Sequence, residues 1–403
     1  MLVDLINTNY LTILNDNFDK YLIVERSKYN KIIQSIITYV NENSLVISSP
    51  ESLVVTNDLT NDPLIIYSFK PSIDSKNITN LIYKLNKNDK ESEYTQLRTV
   101  IENVSYNINY NFRHLCTVRK INKLPNENIS IFTPEIKNGI SYLPSEIELI
   151  EVYKKIYNLE YYCDLEKNLL LENKLFKIVK QRYSKGVFGG FKLNNIDYLG
   201  VIKNKLINNL FSKDLVLIGD WAIDYLGGTG NDSYGKSVNL NKISAISNIN
   251  PVKLLNQMNN LISNITDVKI SLKRNNVIVP TDSNIEIYSY YIKNSKNKHI
   301  LELYKINYEL IPYKKIKNIN IGSKWVILRF LFIEFWIFRV LYYNNFINKN
   351  IYLKKINTLW KNINIAKSSN NDGDLYLGTY IPNNTLIKIK NKKLFQPYYP
   401  SIN

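Results

Sequence analysis

An almost uninterrupted apolar segment, WVILRFLFIEFWIFRVLYY, occupies residues 325–343. At helical rise it is long enough to span a bilayer, but Arg329, Glu334 and Arg339 interrupt it, and each charge would be costly in lipid. Steps of five residues place these charges about 140° apart around a helix, so they share no polar face. The segment therefore predicts a helix buried on nearly all sides in a globular protein, with partners for its three charges inside that protein.

The length of the chain predicts more than one core. At 403 residues with 45% hydrophobic content, the chain is too long for one ordinary domain, and two lobes with a connecting element are expected. Apolar periodicity places a first lobe at 1–140, a helical connector at 141–195 and a second lobe at 196–403. Predicted strands cover residues 45–48, 64–69, 106–118, 215–218, 269–272, 285–291 and 300–304, and helices are predicted around 17–42, 72–85 and from Ser145 onward.

The charge balance favours a polyanionic partner. The 52 Lys and Arg against 35 Asp and Glu leave a net charge of +17, which suits a nucleic acid, a nucleotide or an acidic membrane surface. Asn, Ile, Lys and Tyr are all abundant, as codon bias in an A- and T-rich genome would produce, so both causes contribute to the excess. Cys116 and Cys163 cannot form a disulfide framework, and the N-terminus lacks a secretory pattern, so a cytoplasmic protein is expected.

The second lobe shows the outline of a triphosphate site. The run LVLIGDWAIDYLGG gives a strand, a turn at Gly219 and a helix start at Asp220, which is the arrangement that presents backbone N–H groups to phosphates. Two divalent ions would need paired acids on the next strand, where the sequence has Asn239 and Asn241. Glu302 could stand as a third carboxylate, and Asp220 is either catalytic or a helix-start residue favoured by the dipole.

The first lobe repeats that outline with other residues. In LVISSPESLV the turn carries Ser48 and Ser49, and Ser52 opens the next segment. Asp58 and Asp62 follow, just before the predicted strand 64–69. They could converge on a metal ion, or they could be turn residues, a role in which Asp and Asn are common.

Several longer stretches resemble the poly(A) polymerase catalytic subunits of large cytoplasmic DNA viruses. One such stretch is YLPSEIELIEVYKKIYN (residues 142–158). Further matches are RHLC (113–116), FTPEIKNG (132–139), IGDWA (218–222), YELIPY (308–313), the segment 321–341 and PYYP (397–400), and all of them keep their order along the chain. Long matches in a constant order are more specific than a short motif. The resemblance covers the chain from about residue 110 to its C-terminus.

This resemblance implies an α+β fold with two nucleotidyltransferase-like lobes of mixed sheet, joined by a helical region. It implies ATP as donor, an RNA 3′ end as acceptor, Mg²⁺ or Mn²⁺ as cofactor, and a homodimer or an accessory processivity subunit in the cytoplasm, a viral factory or a virion. The residue patterns of the two lobes and of the basic C-terminal run predict catalysis and metal binding at Asp58 and Asp62, nucleotide binding at Ser48, Ser49 and Ser52, a degenerate second site at Gly219, Asp220, Asn239, Asn241 and Glu302, and RNA binding at Lys388, Lys390, Lys392 and Lys393. The alternative is a catalytically degenerate member that binds RNA and supports another subunit.

Overall fold

A computed structural model describes residues 30–48, 63–87, 95–110, 113–121, 135–137, 139–157, 165–183, 198–212, 215–226, 242–263, 268–275, 279, 285–293, 298–306 and 311–369. The chain divides into two compact units. The first comprises Met1–Ile121, Pro134–Leu143 and Lys393–Asn403, and the second comprises Asn122–Thr133 and Pro144–Lys392. Within the described residues, each unit contains one seven-stranded mixed sheet.

The first unit consists of a sheet and helices packed on it. Its elements are α1 (residues 30–42), β1 (Val46–Ile47), β2 (Leu64–Ser68), α2 (Pro71–Leu85), β3 (Gln96–Ile101), β4 (Ser105–Tyr110), β5 (Arg113–Lys120), β6 (Glu135–Lys137) and β7 (Ile140–Tyr142). The strand order is β3-β4-β5-β2-β1-β7-β6. Apolar residues at helical spacing on α1, such as Ile32 and Ile36, pack with Ile47, Ile66 and Ile78 in one buried cluster. Burial of this stripe fixes which face of the sheet the helices cover.

The second unit repeats this plan and adds helices. Its elements are α3 (Ser145–Tyr157), α4 (Leu165–Tyr183), α5 (Tyr198–Leu210), β8 (Val216–Ile218), α6 (Gly219–Leu226), β9 (Ile243–Ser247), α7 (Pro251–Ile262), β10 (Ile270–Asn275), β11 (Ile285–Ile292), β12 (His299–Ile306), β13 (Tyr313–Ile316), β14 (Ile319–Gly322), α8 (Lys324–Tyr343) and α9 (Lys349–Ser368). The strand order is β10-β11-β12-β9-β8-β14-β13. The prediction of two mixed-sheet lobes with helices is confirmed.

The two sheets have the same topology, with every strand number raised by seven. The parallel pairs are β2 with β5 and β1 with β7 in the first sheet, and β9 with β12 and β8 with β14 in the second. All other pairs are antiparallel in both sheets. A helix that begins with proline follows β2 and β9 alike, at Pro71 and Pro251. The same α/β topology therefore occurs twice in the chain.

The buried apolar segment is α8, as the sequence predicts. Arg329, with no exposed surface, donates to the hydroxyl of Tyr157 on α3. The Glu334 carboxylate lies 2.8 Å from the Lys242 ammonium, and the Arg339 guanidinium lies 5.7 Å from the ring centre of Tyr343. In the described part of the chain, no helix combines the length and the apolar content that a bilayer crossing requires.

The helices α3 and α4 belong to the second unit. Their contact with α9 includes an ion pair, because the buried carboxylate of Glu172 on α4 binds the ammonium of Lys367. The Tyr153 hydroxyl on α3 donates to the other oxygen of the same carboxylate at 2.9 Å. A buried charge held by two hydrogen-bonding partners is stable, whereas an unpaired one would not be.

One predicted strand is wrong in its extent. The apolar pattern predicts a single strand over residues 106–118, whereas β4 ends at Tyr110, β5 begins at Arg113, and the two strands pair antiparallel. Alternating apolar residues do not distinguish one long strand from a hairpin. Asn111, which stands between the two strands in the sequence, is a residue type common at turns and is the signal that the pattern offers.

Candidate active site

The second unit, which we call the C-terminal lobe, contains a sharp strand-to-helix turn where the sequence predicts one; the first unit is the N-terminal lobe. Gly219 follows β8 directly, opens α6 and has a φ of +68°. A Cβ at this position would lie 3.2 Å from the Cβ of Ser244 on β9. Only glycine combines that left-handed backbone with so close a neighbour. The turn therefore brings the first residues of α6 against the start of β9.

Three side chains of adjacent strands meet beside this turn. Ser244 pairs with Ile218 of β8 on one side and with Glu302 of β12 on the other. Lys242 precedes Ser244 by two residues, and alternate residues of a strand point to the same face. A transferase of this chemistry needs carboxylates on neighbouring strands to hold two divalent ions. In this lobe the three positions carry Lys242, Ser244 and Glu302.

The Lys242 ammonium lies between two carboxylates. Its Nζ is 2.6 Å from Oε1 of Glu302 and 2.8 Å from Oε1 of Glu334 on α8. The Tyr304 hydroxyl also donates to Oε1 of Glu302, at 2.7 Å. An ammonium group thus binds the carboxylates that would otherwise be open to a cation, and the residues present do not fit a divalent ion here.

The pKa shifts of Lys242, Glu302 and Glu334 agree with this geometry. Burial by itself lowers the pKa of Lys242, but attraction to Glu302 and Glu334 outweighs it, and the pKa of the ammonium is raised. Burial raises the pKa of Glu302, yet Lys242 and His299 outweigh it, so this carboxyl has a lowered pKa. Burial raises the pKa of Glu334 more than Lys242 lowers it. Lys242 and Glu302 are therefore a charged pair.

The space beside Lys242 is small. A cavity lined by residues including Asp220, Ser244 and Lys355 has a volume of about 20 Å³. Asn362 of α9 reaches across and donates to the Asp220 carboxylate. A volume of this size suits about one water molecule, so a nucleoside triphosphate does not fit in this arrangement of the lobe.

The matching positions of the N-terminal lobe carry no carboxylate. The parallel partners align the two sheets, since Ile47 of β1 pairs with Tyr142 as Leu217 of β8 pairs with Ile321. From that anchor, the strand registers place Ile65 where Ser244 stands and Thr117 where Glu302 stands. The residue that corresponds to Lys242 is Pro63, which directly follows Asp62 in the sequence.

The two histidines of the chain occupy the same position in the two lobes. His114 and His299 each lie three residues before the matched pair Thr117 and Glu302, next to a register shift in the hairpin. Their Nε2 atoms lie 3.2 Å and 3.1 Å from the carbonyl oxygen two residues on. His114 Nε2 is also 2.9 Å from the Thr117 hydroxyl, and His299 Nε2 is 3.9 Å from Glu302. This shared bulge supports the alignment.

The structure brings together some of the predicted site residues. Gly219, Asp220 and Glu302 lie in one site. Ser48 is buried at the end of β1, where its N–H donates to the Ile65 carbonyl at 3.0 Å. The other predicted positions lie outside the described residues: Ser49, Ser52, Asp58, Asp62, Asn239, Asn241, Lys388, Lys390, Lys392 and Lys393.

Two residues of this site, Lys242 and Glu334, are not among the site residues that the sequence predicts. Lys242 follows the Asn-rich run directly and begins the face of β9 that the acids would share, so strand alternation from a correctly placed β9 would have found it. The sequence predicts that Glu334 needs a partner, but that partner is Lys242, 92 residues earlier in the chain. In the part of the chain that the structure describes, no group of three or more His, Cys, Asp or Glu side chains could hold a metal ion.

The fold has two lobes, each with one seven-stranded mixed sheet in the described residues. No protein-family model and no curated protein matches the sequence. The structure is similar to the crystal structure of the Megavirus polyadenylate synthase, with a TM-score of 0.63 and 15% identity over 98% of this chain and 85% of that one. At this identity the likeness shows the fold. A putative nucleotidyltransferase and the protein JHP933, both from Helicobacter pylori, match half of the chain with TM-scores of 0.22 and 0.23, too low to support an argument.

Proposed function

We propose that this chain acts in template-independent polyadenylation, transferring adenylate from ATP to RNA 3′ ends as a viral-type poly(A) polymerase. The observation that carries the proposal is the doubled nucleotidyltransferase topology, which matches a polyadenylate synthase along 98% of the chain. The net charge of +17 suits an RNA substrate and a triphosphate. A homodimer or an accessory processivity subunit, in the cytoplasm, belongs to the same proposal.

The transfer step is assigned to the N-terminal lobe. In this reaction the RNA 3′ oxygen attacks the α-phosphorus of ATP, the bond to the β-phosphate breaks, and pyrophosphate leaves. Lys242 makes the C-terminal site unfit for divalent ions, so that lobe is assigned a supporting role. In the N-terminal lobe, strand positions Pro63, Ile65 and Thr117 offer no carboxylate, and Mg²⁺ or Mn²⁺ would depend on Asp58 and Asp62.

A second candidate function has its own support. The chain could be a non-catalytic RNA-binding or processivity subunit. The specific observation in its favour is that neither lobe has a pair of free carboxylates at the matched strand positions of the described residues. Fold alone does not transfer chemistry from one protein to another.

The deciding experiment is ATP incorporation onto an oligoadenylate primer, with Mg²⁺ and with Mn²⁺. The unaltered protein should extend the primer. Asp62→Asn should lower the rate by at least about a hundredfold, the scale expected when charge stabilisation of a transition state is removed. Glu302→Gln is the matched control and should leave the rate unchanged in protein that remains folded.

Two results would contradict the proposal in different ways. If Glu302 is essential and Asp62 is dispensable, transfer belongs to the C-terminal lobe. If the folded, unaltered protein adds no adenylate with either metal ion, the supporting-subunit function is correct.

A further inference from the structure

The turn between α8 and α9 exposes large apolar side chains for which the fold gives no reason. Phe346 is 72% exposed, more than any other large hydrophobic residue in the described part of the chain. Tyr343 is 57% exposed and Ile351 is 46% exposed. We refer to Tyr343, Phe346 and Ile351 as the aromatic tip. Apolar groups concentrated in nine residues of a surface turn mark a binding surface more often than isolated exposed residues do.

The aromatic tip is held in place by its backbone. Asn345 adopts a left-handed φ of +59°, and the Phe346 N–H donates to the Leu341 carbonyl at 2.9 Å. The Asn348 side chain then caps α9 by accepting the Ile351 N–H at 2.9 Å. These bonds close both helix ends, so a partner would meet side chains that are already oriented.

A stacked pair of rings supports the tip from inside the hairpin. Tyr342 at the end of α8 and Tyr352 at the start of α9 lie with ring centres 4.4 Å apart and planes 13° apart. Tyr342 also contacts Tyr343, with ring centres 5.6 Å apart. The two helix ends are thereby held together without use of Phe346.

Along the chain, the charges next to the tip are all positive, while across the fold the Glu146 carboxylate of α3 interacts electrostatically with Arg339 and Tyr352. Residues 335–371 contain no Asp or Glu, and the six charged residues in that stretch are Arg339, Lys349, Lys354, Lys355, Lys361 and Lys367. Lys349 and Lys354 are exposed, while the Arg339 guanidinium lies 5.7 Å from the Tyr343 ring centre. Aromatic faces beside cations are the combination that single-stranded nucleic acid recognises, through base stacking and phosphate contacts.

We propose that the aromatic tip binds single-stranded RNA. Bases stack on Phe346 and Tyr343, and phosphates contact Lys349 and Lys354. This inference rests on the proposed function, in which RNA is the acceptor. A second copy of the chain is a poorer occupant, because a symmetric contact would bring the same cations together.

Fluorescence anisotropy with a labelled 15-mer of oligoadenylate tests the proposal on the full chain. A Tyr343→Ala/Phe346→Ala double variant should bind at least about tenfold more weakly, because the loss of one base–aromatic stack lowers affinity by about that factor or more. The control is Leu170→Ala/Val252→Ala, which removes side chains that are 53% and 56% exposed on other helices and should bind as the unaltered protein does.

Two further measurements separate stacking from charge. An abasic oligomer of equal length should bind the unaltered protein and the Tyr343→Ala/Phe346→Ala variant equally. A Lys349→Gln/Lys354→Gln variant should lower the slope of log affinity against log salt by about 1.4, at roughly 0.7 per phosphate contact with a single strand.

Full RNA affinity in a folded tip variant overturns the proposal. Loss of self-association in sedimentation, with RNA binding intact, also overturns it and assigns the tip to an interface between copies. A protein that adds no adenylate but loses RNA binding in the tip variant would refute the proposed function and leave this inference standing.

Discussion

Lys242 is the residue that most changes the chemistry of the C-terminal lobe. Its ammonium contacts Glu302 and Glu334 at 2.6 and 2.8 Å, and both carboxylates are largely buried. A divalent ion would bring two positive charges and require near-complete ligation by oxygen. The Lys242 ammonium is a single positive charge that belongs to the chain and cannot dissociate into solvent. The lobe can therefore keep two buried carboxylates without binding a metal ion.

Replacing Lys242 by alanine should destabilise the protein strongly. Removing one partner of a buried ion pair leaves an uncompensated charge, which costs about 3–5 kcal/mol. Urea unfolding should show this loss. Arg274→Ala is the control, because Arg274 is 62% exposed in its ion pair with Glu286 and such pairs contribute about 1 kcal/mol or less.

The same variant should respond to metal ions. Mn²⁺ should restore part of the stability of Lys242→Ala, because Glu302 and Glu334 are then without their cation, and it should leave the unaltered protein unchanged. If Lys242→Ala and the unaltered protein were equally stable without Mn²⁺, the Lys242 ammonium would not be the main partner of these carboxylates.

His299 should make the stability of the C-terminal lobe pH-dependent. Burial, helped by the charge on Lys242 and opposed by Glu302, lowers the pKa of His299 to about 4. The unfolded chain takes up this proton near pH 6.5. Between these values the unfolded state binds more protons, so the free energy of unfolding rises as pH rises from about 4 to 6.5.

Comparison of His299→Gln with the unaltered protein isolates this contribution. The decrease in unfolding free energy from pH 6.5 to 4.5 should be smaller in the variant by roughly 2 kcal/mol, given about 1.4 kcal/mol per pKa unit. Parallel stability curves for the two proteins over this range would contradict the assignment.

At the scale of elements, the junction of β8 with α6 depends on a single glycine. Gly219→Ala introduces both a left-handed non-glycine residue and a Cβ that lies 3.2 Å from Ser244. Gly139 is a matched control, because its φ is +76° and nothing lies within 4 Å of its would-be Cβ. Gly139→Ala should therefore show the stability cost of a left-handed alanine without any steric clash.

The measurement is thermal or urea unfolding of the two variants. Gly139→Ala should cost about 1–2 kcal/mol, and Gly219→Ala should cost at least about 1 kcal/mol more, because a close contact in a packed core must be relieved. Equal costs would mean that Ser244 moves aside without strain, and that the turn is looser than its geometry indicates.

At the scale of the whole molecule, one α/β plan occurs twice with different residues at its centre. The matched trios are Lys242, Ser244 and Glu302 in one lobe and Pro63, Ile65 and Thr117 in the other. The scaffold is preserved because strand pairing and core burial do not require the acids. Both lobes have a histidine next to the register shift of the hairpin. This agrees with a structural role of the histidine in the hairpin rather than a role that needs carboxylates.

Local sequence pattern alone determined most elements and the identity of α8. The apolar runs gave β1, β2, β8, β11 and β12 nearly at their bounds, because strand and helix periods are read directly from side-chain order. The need for partners of Arg329, Glu334 and Arg339 also followed from sequence, since a buried charge without a partner is unstable. The division into two lobes followed from the length of the chain, whereas the mixed-sheet class came from the resemblance, which carries information that periodicity does not.

Tertiary structure decided which residues meet. Strands β6, β7, β13 and β14 have three or four residues each and contain no two adjacent apolar residues, so they lack the apolar run that identifies β1 and β8. Lys242 joins Glu334 across a long stretch of chain, and no local rule specifies such a contact. The equivalence of Glu302 with Thr117 required strand registers, which are set by hydrogen bonding between strands and by burial of one face, and a one-residue slip would have exchanged every site position for a core position.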